Sequence, residues 1–112
     1  MGFRLRALVA ALLSLLAADL AAEDWPQFRG PGGQGHSSET AAPLVWSETK
    51  NIKWKSPVPG TGWSSPVVAV GRVWLTTATG GRDVSLRALA FDAESGRELV
   101  NLEVFRPRRS GA

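Results

Sequence analysis

The chain has 112 residues, a formal net charge of +3 from 13 Lys and Arg against 10 Asp and Glu, and no cysteine. The absence of cysteine excludes disulfides and thiolate metal sites, so apolar burial must hold the fold together. Five of the basic residues lie among the first six residues or after residue 105, and residues 23–105 carry 8 basic against 9 acidic side chains. This nearly neutral body gives no sign of the basic face that nucleic-acid binding requires.

The first 22 residues have the pattern of a secretory signal peptide. Arg4 and Arg6 precede the apolar run Ala7 to Leu16, and an alanine-rich stretch follows through Ala22, which is the order of the three parts of such signals. The apolar run is too short for a comfortable membrane span. We therefore expect a signal helix cleaved after Ala22, a periplasmic or secreted protein, and no stable membrane span after cleavage. An amphipathic or buried N-terminal helix is the alternative.

Residues 23–50 are predicted to form an extended lead-in. The stretch Asp24 to Gly35 is too rich in Gly and Pro for a helix or a central strand. Trp25 and Phe28 are large aromatic side chains in this otherwise polar coil, and such side chains usually cover another surface. We expect both to pack on another surface rather than to bind a ligand.

Two patterns in the lead-in suggest chemistry and are rejected. Gly30, Gly32 and Gly35 satisfy G-x-G-x-x-G, but a dinucleotide site needs this loop between a strand and a helix. Here a proline-containing coil precedes the motif and no apolar helix follows it. His36 is the only histidine, and no acidic residue lies at a spacing that indicates a triad or a metal site. No catalytic, cofactor-binding or metal-binding residue is therefore predicted in the chain.

From residue 51 the pattern changes to that of β-strands. Along residues 51–58, small or apolar side chains alternate with lysines on two faces: Ile52, Trp54 and Ser56 against Lys53 and Lys55. The lysines would protect a sheet edge against pairing with other chains. The pattern predicts an edge or outer strand, followed by a turn or loop at Pro59–Gly62.

A hairpin is predicted next. The β-branched and aromatic runs Ser64–Val70 and Arg72–Thr77 are separated only by the region of Gly71. Because valine is costly at a positive φ, we expect Gly71 rather than Val70 to adopt that conformation. Trp63 and Trp74, at the start and in the middle of this region, are the remaining predicted packing aromatics.

Two further strands, residues 84–91 and 98–105, flank a turn rich in Asp, Ser and Gly. Asp92 is expected to accept hydrogen bonds from backbone N–H groups two or three residues on, and Gly96 to take a positive φ. Apolar side chains occur on both faces, with Phe105 expected opposite Val100 and Leu102. A sheet covered on only one face would alternate more cleanly, so both faces should be covered.

The turn has the spacing Ala90-x-Asp92-x-x-x-Gly96-Arg97, and with the Ser-Ser-Pro-Val-Val hairpin it resembles the repeat of pyrroloquinoline-quinone (PQQ)-like β-propellers. This superfamily includes quinoprotein dehydrogenases and a subunit of the outer-membrane assembly machinery. The resemblance implies an all-β fold: one four-stranded antiparallel blade over residues 51–105, preceded by the signal helix and the Gly/Pro-rich coil. Residues 106–112 are expected to form a disordered basic tail. Val100 stands where quinoprotein repeats commonly carry a Trp that docks between blades.

The motif occurs once, so the resemblance implies the N-terminal piece of a longer protein with its first blade. The leading interpretation is a non-catalytic binding or assembly module, whose partners are the remaining blades or an unknown protein. One alternative is a fragment of a PQQ-dependent oxidoreductase whose active residues lie in missing blades, and another is a truncated product without independent function. The quinoprotein catalytic Asp, calcium ligands and cysteine pair have no matching positions here. PQQ would therefore be bound only by a full-length propeller.

Overall fold

The computed structural model describes residues 23–108, and the predicted signal peptide and last four residues lie outside that range. The described part is all-β, with one four-stranded antiparallel sheet in the order β1-β2-β3-β4. Apart from a short 3-10 turn at Pro31–Gly33 it contains no helix. The strands are β1 (Val67–Ala69), β2 (Arg72–Thr79), β3 (Ser85–Asp92) and β4 (Glu98–Phe105). The predicted fourth strand is confirmed, and the third is displaced by one residue.

The hairpin between β1 and β2 turns at Val70 and Gly71. Both residues have positive φ, 50° at Val70 and 70° at Gly71. The prediction that Gly71 alone would do so was wrong. Two successive positive φ values are typical of a type I′ turn, whose twist matches that of the flanking strands. The turn geometry that the hairpin requires thus overrides the preference of valine for a negative φ. The Val70 side chain is 88% exposed.

The chain before β1 continues along the same edge of β2. Thr61 and Ala78 exchange two backbone hydrogen bonds, of 2.9 and 2.7 Å. The Ser64 hydroxyl donates to the carbonyl of Thr76 at 3.2 Å and accepts from its N–H at 3.0 Å. A side chain therefore takes the place of a backbone partner, and β2 is paired along most of both its edges.

Residues 51–58 do not form the predicted strand. Between Ile52 and Val58 no backbone group makes a backbone hydrogen bond to any of the described residues. The segment is held by side chains instead: the Trp54 indole donates to the carbonyl of Ala93 at 2.9 Å, and the Ser56 hydroxyl donates to that of Gly96. The predicted alternation is observed in part: Trp54 and Ser56 are half-buried while the lysines are exposed, but Ile52, predicted on the same face as Trp54, is 43% exposed. A strand needs a backbone partner, which this segment lacks here.

The sheet has one covered face. The register places Val73, Leu75 and Thr77 of β2 beside Arg87, Leu89 and Phe91 of β3 on this face, with Ser85 at its end. Thr77, Ser85, Leu89 and Phe91 are all at most 5% exposed. Residues 51–60 are anchored at the β3–β4 turn by Trp54 and at Thr77, whose hydroxyl donates to the Pro59 carbonyl at 2.7 Å. These anchors lie near opposite ends of the strands, so the segment runs along this face.

The opposite surface, here termed the open face, is apolar across three strands. Cross-strand partners lie on the same face of a sheet. The register assigns nine positions of β2, β3 and β4 to the middle and one end of this face: Trp74, Thr76, Ala78, Leu86, Ala88, Ala90, Val100, Leu102 and Phe105. At the other end it adds Arg72, Asp92 and, from β1, Val67 and Ala69. Ala90 is fully buried, with Trp74 and Val100 as its cross-strand neighbours, whereas Leu102 and Phe105 are 60% and 57% exposed. Nothing in residues 23–108 covers this half of the open face.

Two bulges in β4 decide which residues share the open face. The pairing shifts between Leu86 and Arg87 and again between Ala90 and Phe91. Each shift adds one unpaired residue to β4, Val104 in one case and Leu99 in the other. Because an added residue reverses the alternation of side chains, Phe105 lies on the same face as Leu102. The prediction that it would lie opposite was wrong.

Candidate functional site

The turn between β3 and β4 has the geometry that the sequence predicts. Asp92 Oδ1 accepts from the backbone N–H of Glu94 at 3.0 Å, from that of Ser95 at 2.8 Å and from the Ser95 hydroxyl at 2.9 Å. Gly96 has a φ of 71°. Backbone bonds from Gly96 N to Asp92 O and from Asp92 N to Arg97 O, of 2.8 and 2.9 Å, close the loop. The turn is thus closed by its own residues, and their membership of a repeat stays a prediction.

The electrostatics of Asp92 suit this structural role. Its hydrogen bonds from the backbone and hydroxyl of Ser95 lower the pKa of the carboxyl below its ordinary value, and the charge of Arg97 adds a smaller effect. A carboxylate that accepts several N–H bonds favours its charged form. Asp92 is therefore an acceptor that stays ionised and not a base poised to exchange protons near neutrality.

Trp54 and Ser56 complete the turn from 40 residues away and were not among the predicted site residues. The indole of Trp54 lies directly over Gly96, where an added Cβ would come within 2.5 Å of Trp54 Cδ2 and 2.8 Å of Ser56 Oγ. Gly96 is buried as a result. The alternation of Trp54 and Ser56 with lysines was the signal in the sequence, but a pattern in one segment does not name the distant loop that it contacts.

The four predicted packing aromatics have different surroundings. Trp25 exchanges two backbone hydrogen bonds with Val68, of 2.7 and 2.9 Å, and its ring lies over Gly30. Trp74 is half-buried on the open face. Phe28 is 69% exposed, with the guanidinium of Arg29 at 5.5 Å from its ring centroid, and Trp63 is fully exposed. Packing roles for Phe28 and Trp63 stay predictions that need a surface outside the described residues.

A polar network lies at the outer side of the covered face. Glu103 accepts hydrogen bonds from the Ser85 hydroxyl and from Arg106, both at 2.6 Å, and the bond from Arg106 is the main reason that the Glu103 pKa is lowered. Arg87 donates to Asn101 Oδ1 at 2.6 Å. Within the described residues no buried side-chain N or O atom lacks a hydrogen-bond partner. The network therefore joins β3, β4 and the residue after β4 through side chains.

The described part of the chain also shows no group of metal-ligating side chains. No three His, Asp or Glu side chains of residues 23–108 are grouped so that they could hold an ion. His36 is exposed in the lead-in, and Gly30, Gly32 and Gly35 lie around a short turn rather than between a strand and a helix. The expectation that this stretch holds no metal or cofactor stays a prediction.

The open face is the candidate functional site. Of the nine positions from Trp74 to Phe105 named above only Thr76 is polar and none is charged, and the charged Arg72 and Asp92 lie at one end of the face. Beside the exposed Leu86 and Phe105 the surface dips into an open depression of about 380 Å³. The depression is lined by Thr61, Gly62, Thr76, Thr77, Ala78, Leu86, Arg87, Val104 and Phe105. Exposed apolar side chains grouped on one sheet face are typical of surfaces that pack against another surface.

Comparisons of the chain with protein-family models, with curated proteins and with solved structures find no match in any of the three. No helix within residues 23–108 is long and apolar enough to cross a membrane. What the structure defines is a four-stranded antiparallel sheet with one face covered by its own chain and one apolar face open.

Proposed function

We propose that the chain is a non-catalytic binding or assembly module, formed by one blade of an exported PQQ-like β-propeller. The observation that carries the proposal is the open face, with three large apolar side chains exposed between 40% and 60%. Blades of propellers are four-stranded sheets that pack face to face around a channel. A four-stranded meander with an uncovered apolar face is suited to such packing.

The state of the charged groups supports binding over catalysis. Asp92 and Glu103 have pKa values lowered by hydrogen bonds, so both are ionised acceptors near neutral pH. A general acid or base needs a pKa near the working pH and access to a substrate. The exposed Leu86, Leu102 and Phe105 of the open face have no such groups, and recognition there depends on shape and apolar contact.

PQQ does not fit the described residues. It is an anionic quinone whose binding in quinoproteins involves calcium, and residues 23–108 bring together no set of carboxylates that could hold that ion. We propose that any PQQ would be held by other blades of a full-length propeller. We expect the chain alone to leave the absorbance spectrum of PQQ unchanged when PQQ and calcium are added, and a shift of the quinone band would contradict this.

The blade assignment is tested by the reading frame that follows the codon for Ala112 in the source genome. We expect it to encode further copies of the Ala-x-Asp-x-x-x-Gly-Arg spacing, because a single blade leaves apolar surface uncovered. Downstream sequence without any such repeat would overturn the assignment.

The binding surface is tested with an apolar fluorescent dye, 1-anilinonaphthalene-8-sulfonate, on the dilute full chain. We expect the wild type to enhance the dye's emission and Leu102→Lys to reduce that enhancement, because a charge then lies in the middle of the open face. Leu44→Ser is the control, since Leu44 is 92% exposed in the lead-in. Equal emission from all three proteins would mean that the open face is not an accessible apolar surface.

A further inference from the structure

We propose that the α-ammonium group created at Glu23 by signal cleavage is bound by the carboxylate of Glu39, so that cleavage attaches the start of the exported chain to its own fold. The inference rests on the export proposed above, which gives the chain this new terminus. It is carried by the contacts of Glu23 with residues 37–39 and by the attachment of Trp25 to the sheet.

The backbone nitrogen of Glu23 lies against a carboxylate. It donates a hydrogen bond of 2.8 Å to Oε1 of Glu39, a residue 16 positions further along the chain. In the uncleaved chain this nitrogen belongs to a neutral peptide group with a single N–H. After cleavage between Ala22 and Glu23 the same atom is an α-amine, which is protonated at neutral pH. The contact then joins two opposite charges instead of one charge and a neutral group.

The side chain of Glu23 holds that nitrogen in position. Its Oε2 accepts hydrogen bonds from the Ser37 hydroxyl at 2.7 Å and from the Ser38 N–H at 3.0 Å. The Ser37 hydroxyl in turn accepts from the Glu39 N–H at 3.1 Å. The bond from Ser37 is the main reason that the pKa of the Glu23 carboxyl is lowered, so this acceptor is ionised at neutral pH. Residue 23 is thus bound at two atoms by three consecutive residues.

The charges around the nitrogen favour an ammonium there. The Glu39 carboxylate contacts it directly, and the carboxylates of Glu23 and Asp24 belong to the same and to the next residue. An opposite charge at such a distance favours the protonated amine and raises its pKa. A cut one residue earlier would leave a neutral peptide nitrogen at Glu23. The ion pair between Glu23 and Glu39 therefore requires the cut after Ala22 that the sequence predicts.

This ion pair has a consequence for the edge of the sheet. Two residues after Glu23, Trp25 exchanges backbone hydrogen bonds of 2.7 and 2.9 Å with Val68 on the outer edge of β1. An unpaired sheet edge can add strands from other chains, and chain termini fray unless they are tied down. A terminus bound to Glu39 keeps this short segment on the edge. Signal cleavage thus completes the protection of β1.

The ion pair is tested by the rate at which the α-amine of the exported protein is acylated by N-hydroxysuccinimidyl acetate at about pH 7. Only the neutral amine reacts, so a contact that favours the ammonium slows the reaction. Mass spectrometry of the N-terminal peptide measures both the first residue and the extent of acylation. We expect Glu39→Gln, which has the same shape without the charge, to react about two- to fivefold faster, as for an exposed ion pair.

Two controls accompany this variant. Glu48→Gln removes an exposed carboxylate that is paired with Lys55, and its α-amine should react at the wild-type rate. In concentrated urea the wild type and Glu39→Gln should react at one rate, because the contact between residues 23 and 39 exists only in the folded chain.

The outcomes separate the ion pair from export. An exported protein that begins at another residue would overturn the ion pair, because no ammonium then exists at the Glu23 nitrogen, and would leave export standing. A protein that begins at Glu23 but reacts equally fast as wild type and as Glu39→Gln would likewise overturn the ion pair alone. So would an equal acceleration in Glu48→Gln, or a difference that persists in urea. A cytoplasmic protein that retains Met1 would contradict export and the ion pair together.

Discussion

Gly96 lies in the β3–β4 turn with a φ of 71° and with the Trp54 indole directly above it. A side chain at this position is thus unfavourable for two reasons. The positive φ strains a residue that has a Cβ, and the Cβ would overlap with the indole ring. Gly71, in the β1–β2 turn, has nearly the same φ of 70°, but an added Cβ would meet no atom within 4 Å. The two glycines therefore separate backbone strain from steric overlap.

Replacement of each glycine by alanine tests this difference. We expect Gly71→Ala to lower the free energy of unfolding by about 1 kcal/mol, the cost of a left-handed alanine. Gly96→Ala adds overpacking against the indole and should lose about 2 to 4 kcal/mol in total. Urea unfolding at one protein concentration measures both. Equal losses would show that Trp54 does not cover Gly96 in solution.

The lowered pKa of Asp92 predicts a dependence of stability on acid. A carboxyl group whose pKa is lower in the folded state stabilises the protein at pH values above 3.8, the ordinary pKa of an aspartate. That contribution is lost as the pH falls below this value and through the folded pKa. We expect the urea concentration at the unfolding midpoint of the wild type to decrease as the pH is lowered below 3.8. In Asp92→Asn this midpoint should decrease less steeply. Glu48→Gln, an exposed surface carboxylate, is the control and should follow the wild type.

At the scale of elements, the segment 51–60 behaves as a cover for the sheet rather than as a member of it. Its backbone makes no ladder with the strands, and its attachment depends on Trp54, Ser56 and the carbonyl of Pro59. The indole ring of Trp54 is the largest group in this attachment, which also includes the ion pair between Lys53 and Glu94. Loss of that ring should expose Phe91 and Leu89, which are at most 3% exposed in the folded chain.

Two tryptophans provide the matched pair for this prediction. We expect Trp54→Ala to cost about 2 to 4 kcal/mol, somewhat below the range for a fully buried aromatic because Trp54 is only half-buried. Trp63→Ala should change stability by less than about 0.5 kcal/mol, since the Trp63 side chain is fully exposed. Urea unfolding of the two variants decides the matter, and a similar loss in both would contradict the proposed cover.

The features that the sequence could predict are local ones. The Asp92 and Gly96 turn and the strands around it depend on residues a few positions apart, and alternation alone indicated which side of residues 51–58 is buried. The features that it could not predict depend on partners far along the chain. The positive φ of Val70 is set by the twist of the paired strands. The bulge at Val104 places the Phe105 side chain on the opposite face of the sheet from the one predicted. Trp54 donates a hydrogen bond to Ala93, which lies 39 positions away.

At the scale of the whole molecule, the first 22 residues lie outside the described structure, and the prediction that they direct export is testable on its own. We expect the protein recovered from its source organism to begin near Glu23 and to be found outside the cytoplasm, because the charge and apolar order of residues 1–22 is that of a cleaved signal. Mass spectrometry of the intact protein measures the N-terminus. A cytoplasmic protein that still carries Met1 would contradict the signal peptide.

The two bulges of β4 also limit the kind of aggregate that the chain can form. Fibrils grow when a flat strand edge with evenly spaced peptide groups templates the next strand. In β4 that spacing is broken at Leu99 and at Val104, which leaves only a short regular stretch between them. Growth by strand addition should therefore stop at this edge while the sheet stays folded.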